Sequence, residues 1–143
     1  MGKRDLADLH GISIEYLETI FRKLRHAEIV ATVEESGGGF VLARPPEKIS
    51  FLDVVVAIDG RNPLFECKNV RFRCAVFRGN APGWATKGLC AIHAVMMEAE
   101  ASMRAVLASR TLADLASRVA AKAPPTFVDD ISNWLARRVA DNR

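Results

Sequence analysis

The chain has 143 residues, 50% apolar and 26% charged, with a formal net charge of +3, enough to bury one compact core or two small ones. No apolar run approaches the ~20 residues that span a bilayer and no signal peptide opens the sequence, so a soluble cytoplasmic protein is expected, in which three cysteines argue against a disulfide framework. Charge is unevenly placed: residues 1–44 carry six Lys/Arg against seven Asp/Glu, residues 61–90 six against one.

The first element is a short helix with Leu6 and Leu9 on one face, stopped by Gly11, which takes a left-handed turn without strain. Ser13 then caps a second helix whose Ile14, Leu17, Ile20, Phe21 and Leu24 recur at helical spacing, while Glu15, Glu18, Arg22 and Lys23 face away. Two helices joined by such a turn read either as a packed pair or as a helix-turn-helix, whose second helix enters the major groove of DNA. The runs IVATV and FVLAR, separated by Glu34 to Gly39, form a hairpin with a glycine tip. Directly after a helix-turn-helix, a hairpin is a wing, and its glycines let backbone approach phosphate; its plain alternative is an ordinary turn.

Pro45-Pro46 marks a boundary. Ser50 and Asp53 form a capping box that opens a helix with Leu52, Val55, Val56 and Ile58 as core candidates, ended by Gly60. The stretch 77–88 has no helical or strand period. Beyond it, Ile92, Val95, Met96, Ala99, Met103, Val106 and Leu107 make a stripe along a long helix, covered either by the chain itself or by a second copy in a two-fold dimer. Thr111 and Asp114 open another helix, closed by Pro124-Pro125. A final amphipathic helix carries Val128, Ile131, Trp134, Leu135 and Val139 on one face, with Arg137 and Arg138 beside it. The expected organisation is thus 1–44, a winged helix-turn-helix; 45–66, a connecting helix; 67–90, a cysteine loop; 91–120, a dimerisation helix and a short helix; and 121–143, a C-terminal helix. The fold class is mainly α with a small β-hairpin wing.

All three cysteines, Cys67, Cys74 and Cys90, fall in one stretch, and His93 stands one helical turn after the last. Three thiolates and an imidazole suit an iron–sulfur cluster, zinc or copper(I), and the surrounding basic charge would offset an anionic centre. Equally, free cysteines pack as small hydrophobes, and the spacing fits no zinc-ribbon or finger pattern. Cys90 with His93 as a nucleophile pair lacks a carboxylate to orient the base and an oxyanion site, so no enzyme is expected.

Taken together, GISIEYLETIFRKLRHAEIVATV, GGGFVLARP, ISFLDVVVAIDG and three cysteines ahead of a long helix ending in TLADL resemble the Rrf-type winged helix-turn-helix regulators, the IscR, NsrR and RirA kind, over about residues 4–118. The resemblance implies a bacterial cytoplasmic homodimer that binds palindromic promoter DNA as a transcription regulator, here a repressor, with long helices crossed between subunits. It also implies an iron–sulfur cluster, 2Fe–2S ahead of 4Fe–4S, that senses iron, cluster supply, nitric oxide or redox state. Carried over, Cys67, Cys74, Cys90 and His93 become the metal ligands. Ser13, Glu15, Tyr16, Glu18, Arg22, Lys23, Ser36, Gly37 and Gly38 become the DNA contacts, with Glu18 at a base-reading position that accepts from cytosine.

Three departures stand out. The interval from Cys74 to Cys90 is longer than the family's, although loop closure grows costlier only slowly with length. The family pattern opens with a further helix ahead of residue 4, expected here as either lost or placed upstream of the assigned start. The wing carries Glu34 where the family has an arginine. With the winged region net negative, weak attraction for phosphate is expected, and the alternative function is a cluster-binding dimer that no longer binds DNA.

Overall fold

The computed structural model describes residues 2–33, 39–66, 68 and 70–141. The chain divides into two compact units, residues 1–60 with 108–143, and residues 61–107. Its expected class holds: mostly helical, with one antiparallel hairpin.

The first unit opens with α1 (Lys3–His10) and α2 (Ile14–His26). Gly11 sits at φ 63°, ψ 33° and gives its N–H to Asp8, while Ile12 bonds back to Ala7, so the turn is closed by backbone alone. Glycine meets that left-handed geometry without a Cβ penalty. Ser13 caps α2, its hydroxyl accepting the Tyr16 N–H at 3.2 Å. The far end of α2 is less expected. Ile29 N–H bonds to Leu24 O at 2.9 Å across Glu28, which sits at φ 54°. This is a Schellman closure with an acid where glycine is favoured, accompanied by the usual apolar contact between the flanking residues, Leu24 and Ile29.

β1 (Val30–Val33) and β2 (Gly39–Leu42) pair in the register Val30 with Leu42 through Val33 with Gly39. Phe21 of α2 stacks on Phe40 of β2 with ring centroids 4.1 Å apart. The core is small. Among the described residues, Ala7, Leu17, Ile29, Val30 and Ile49 are the fully buried apolar ones, and Phe21, Leu24, Phe40, Val54, Ala57 and Leu112 pack on the cluster formed by Ile29, Val30 and Ile49.

A 3-10 turn (Pro46–Lys48) leads to α3 (Phe51–Asp59). The capping box is formed: the Asp53 N–H bonds to the Ser50 hydroxyl, and the Asp53 carboxylate accepts from Ser50. The face turned to the core differs from expectation. All six are half-buried, and it is Val54 and Ala57, not Leu52, Val55, Val56 or Ile58, that pack on the buried cluster. A nearly unbroken apolar run such as FLDVVVAI does not say which stripe faces inward, and here packing against Ile29 and Ile49 decides. α6 (Leu112–Lys122) and α7 (Phe127–Asp141) complete the unit. Thr111 caps α6 with Asp114 in a second capping box.

The second unit holds two 3-10 turns (Val70–Arg73 and Ala75–Phe77), the one-turn α4 (Gly83–Thr86) and α5 (Ala91–Ala108) as far as Leu107. The stretch that carries no periodicity is therefore partly helical, in pieces too short for a period to register. Phe77 meets Trp84 edge-on at 6.0 Å and anchors α4.

Candidate functional site

Two places carry the expected site residues. The first is the exposed side of α2. Tyr16 is 59% exposed there, beside Glu15, Glu18, Arg22 and Lys23, all exposed. Two of these side chains are engaged within the unit. Glu18 pairs with Lys3 of α1 at 3.3 Å, and Lys23 donates from Nζ to Ile58 O at 2.6 Å, holding the C-terminal turn of α3. A groove of about 400 Å³ lined by Lys3, Glu15, Glu18, Arg22, Arg25 and Thr32 runs between α2 and the hairpin. Ser36, Gly37 and Gly38 at the hairpin tip, and Glu34, lie outside the described residues.

The second place is the cysteine stretch. Cys74 is exposed and accepts the Phe77 N–H on its carbonyl. Cys90 is half-buried at the start of α5, its carbonyl accepting the Ala94 N–H at 2.8 Å. The backbone N–H groups of His93 and then Ile92 reach its sulfur, and together with the Arg71 charge they hold the thiol below its ordinary value, against a smaller opposing effect of burial. A cysteine at a helix N-terminus is in this way biased towards thiolate, the form that binds metal.

Arg71 was not singled out by sequence reasoning, although the basic balance of residues 61–90 pointed at its neighbourhood. It donates from Nη2 to Gly88 O at 2.7 Å, and its buried Nε has no hydrogen-bond partner among the described residues. His93 turns its ring edge-on to Phe65 at 5.8 Å. Just before, Leu64 N–H bonds to Glu100 of α5 at 3.1 Å, and Arg104 pairs with the same carboxylate at 2.8 Å. Arg104 first, and Leu64 second, hold the Glu100 carboxyl below its usual range. The segment entering the cysteine stretch is thereby fastened to the helix that leaves it.

Cys67 lies outside the described residues. Among the described residues no group of three or more His, Cys, Asp and Glu gathers to hold a metal, so Cys74, Cys90 and His93 are not brought to one point by what is described. On α5 much of the stripe is exposed: Ile92, Val95 and Val106 are each more than 60% exposed and Met103 is 41% exposed, while Met96 and Leu107 are half-buried. Among the described residues no helix is long and apolar enough to cross a membrane.

The chain is similar to known proteins along most of its length. The family model Rrf2, described as an iron-dependent transcriptional regulator, matches residues 1–118. The HTH-type transcriptional regulator IscR of Vibrio vulnificus is 30% identical over 113 residues, covering 79% of this chain and 61% of that protein. The IscR of Aliivibrio salmonicida is 44% identical over 55 residues, 38% of this chain and 33% of that protein. The chain thus spans at most about three-fifths of these relatives. Among solved structures, T. potens IscR superposes with a TM-score of 0.62 at 22% identity, covering 90% of this chain and 77% of that one. CymR, the global cysteine regulator of B. subtilis, gives a TM-score of 0.59 at 23% identity, covering 82% and 78%. At these identities the two structures establish the fold.

Proposed function

The chain belongs to the Rrf2 family of transcriptional regulators, and from that premise we propose that it acts as a dimeric DNA-binding regulator whose grip on promoter DNA is set by an iron–sulfur cluster. Its relatives are regulators and not enzymes. The observation that carries the reading is the order of parts: α1, Gly11, α2 and a hairpin, followed by an 18-residue α5 with an apolar face left open.

α2 would lie in the major groove, where Tyr16, Glu18 and Arg22 reach base edges and phosphate, while Ser36, Gly37 and Gly38 of the wing approach the backbone. A homodimer would bury Ile92, Val95, Met103 and Val106 against their copies, each large apolar side chain contributing roughly 1.5–3 kcal/mol when buried, and would set the two recognition helices about 34 Å apart. Residues 91–107 are then the dimerisation segment and residues 67–90 the sensing one.

The donor chemistry fits a sulfur-rich anionic centre. Cys90 is biased to thiolate, and Arg71 keeps a cation with an unpartnered N–H in the same stretch. Cys67, Cys74 and Cys90 would hold the cluster, with His93 as fourth ligand once its ring leaves Phe65. Bound, the cluster would supply a redox- and iron-responsive link between the cysteines.

One observation favours the second reading, a dimer that has lost DNA binding. Glu18 is tied to Lys3 and Lys23 to Ile58 O, which leaves few free cations on α2. An anaerobic anisotropy titration against palindromic sites selected from a random library separates the two. Salt-dependent binding that changes on cluster removal supports the regulator, and no binding by loaded or unloaded dimer overturns it.

A further inference from the structure

We propose that the cleft between α2 and α3 is a binding site for a small organic carboxylate with an apolar body. The site lies wholly within the first unit and owes nothing to the cysteine stretch.

The cleft has a volume of about 580 Å³, within the roughly 300–1,000 Å³ of small-molecule sites. Its floor is apolar, formed by Ile29, Val56 and Ala57, of which Ile29 is fully buried. Its walls are cationic, with Arg22, Lys23 and Arg44 set against one carboxylate, Asp53. That carboxylate is already engaged, since its Oδ2 accepts from the Ser50 N–H and hydroxyl, each at 2.9 Å. Positive charge is therefore in surplus above a low-dielectric floor, an arrangement that concentrates anions.

The cations are not equally occupied. Lys23 gives Nζ to Ile58 O at 2.6 Å and Arg44 gives Nε to Glu28 O at 3.3 Å. The Arg22 guanidinium has no hydrogen-bond or ion-pair partner among the described residues, and the Nη groups of Arg44 have no hydrogen-bond partner among them. A planar fork with free N–H groups matches a carboxylate in bidentate fashion. The floor adds affinity only for an anion that carries a hydrocarbon portion, because only that portion gains by leaving water. Arg22 also lines the groove between α2 and the hairpin, on the side where the regulator reading places DNA. A carboxylate that takes its guanidinium withdraws a cation from that side. This consequence rests on the regulator reading, whereas occupancy of the cleft does not.

The experiment titrates the full chain with benzoate at fixed ionic strength and follows the backbone and methyl resonances of Val56 and Ala57. Benzamide, without the charge, and acetate, without the body, are the paired probes. Benzoate is expected to move these resonances saturably in the millimolar range, with benzamide and acetate each about tenfold weaker, the loss of one charge-assisted or apolar contribution. Arg22→Gln, an exposed change that spares the fold, is expected to weaken benzoate severalfold. Arg25→Gln, on the same helix but outside the cleft, is expected to match wild type. No saturable shift at Val56 and Ala57 overturns the site, as does benzamide binding equal to benzoate or equal weakening by Arg22→Gln and Arg25→Gln. Saturating benzoate is further expected to weaken DNA binding by wild type and not by Arg22→Gln. Unchanged DNA affinity at saturation overturns the shared role of Arg22. A chain that binds no DNA at all removes the regulator reading, and the resonances still decide the cleft.

Discussion

Ser50 and Thr111 face each other across an antiparallel bridge, with Phe51 N–H on Arg110 O at 2.9 Å and Leu112 N–H on Ile49 O at 3.0 Å on either side. Each is the N-cap of its own helix, α3 and α6, and each works with an aspartate three residues on. The starts of α3 and α6 are therefore joined within the first unit, beside the fully buried Ile49.

That clasp predicts an acid-sensitive fold. The Ser50 backbone N–H, then its hydroxyl, hold the Asp53 carboxyl below its ordinary value, as Thr111 does for Asp114. A depressed carboxyl favours the charged form in the folded state, so its stabilisation is complete above the ordinary carboxylate range and fades as pH falls through the lowered value. Thermal melts from pH 7 downwards should show this loss, and Asp53→Asn with Asp114→Asn should flatten the profile. Ser50→Ala and Thr111→Ala should each cost about 1 kcal/mol at neutral pH; melts unchanged by both would show that the clasp carries no stability.

The closure of α2 offers the opposite effect. Glu28 occupies a left-handed position that costs a non-glycine residue roughly 1–2 kcal/mol. Glu28→Gly should raise the melting midpoint in urea, and the double change with Leu24→Ala should remove the gain by breaking the apolar contact that seals the turn.

Assembly is tested on the open face of α5. Val95→Asp or Met103→Asp should convert a dimer into monomer or aggregate, since each buries an unpaired charge in the proposed contact. Light scattering on the unaltered chain decides first, because a monomer there ends the dimer proposal.

DNA binding should be weak and shallow in its salt dependence. Arg22→Ala should weaken binding and reduce the salt slope by ~0.9 for each phosphate released, whereas Lys23→Ala, already committed to Ile58 O, should leave the slope unchanged and cost stability. Glu34→Arg should tighten binding by adding a cation at the minor groove. Equal slopes for Arg22→Ala and Lys23→Ala would show that the internal bond does not persist on DNA.

For the cluster, each of Cys67→Ala, Cys74→Ala and Cys90→Ala should bleach the absorption of anaerobically purified protein. His93→Ala should weaken it less. A colourless product that contains zinc would replace the sensing role with a structural one.

Much of this architecture was legible because local rules wrote it. Gly11, Ser13, the Ser50–Asp53 capping box, the helix start at Thr111 and the two hairpin strands are decided within a few residues, and they appear where expected. The α5 stripe was legible for the same reason, although periodicity cannot say what covers it. What escaped was non-local. The pairing of Ser50 with Thr111 joins distant segments, the inward choice of Val54 and Ala57 depends on neighbours that no period encodes, and Arg71 gains its meaning only from Gly88 folding back on it. Glu28 escaped differently, since tertiary burial of Ile29 overrode the preference for glycine.

The slender core has a consequence for how much of the protein a cell can hold. If its stability is completed only by a second copy, the folded fraction rises with concentration. At low expression, newly made chains would spend longer exposed to proteases than at high expression. Abundance would then respond more steeply than synthesis rate, giving a threshold in protein level that belongs to the chain's packing and needs no separate signal.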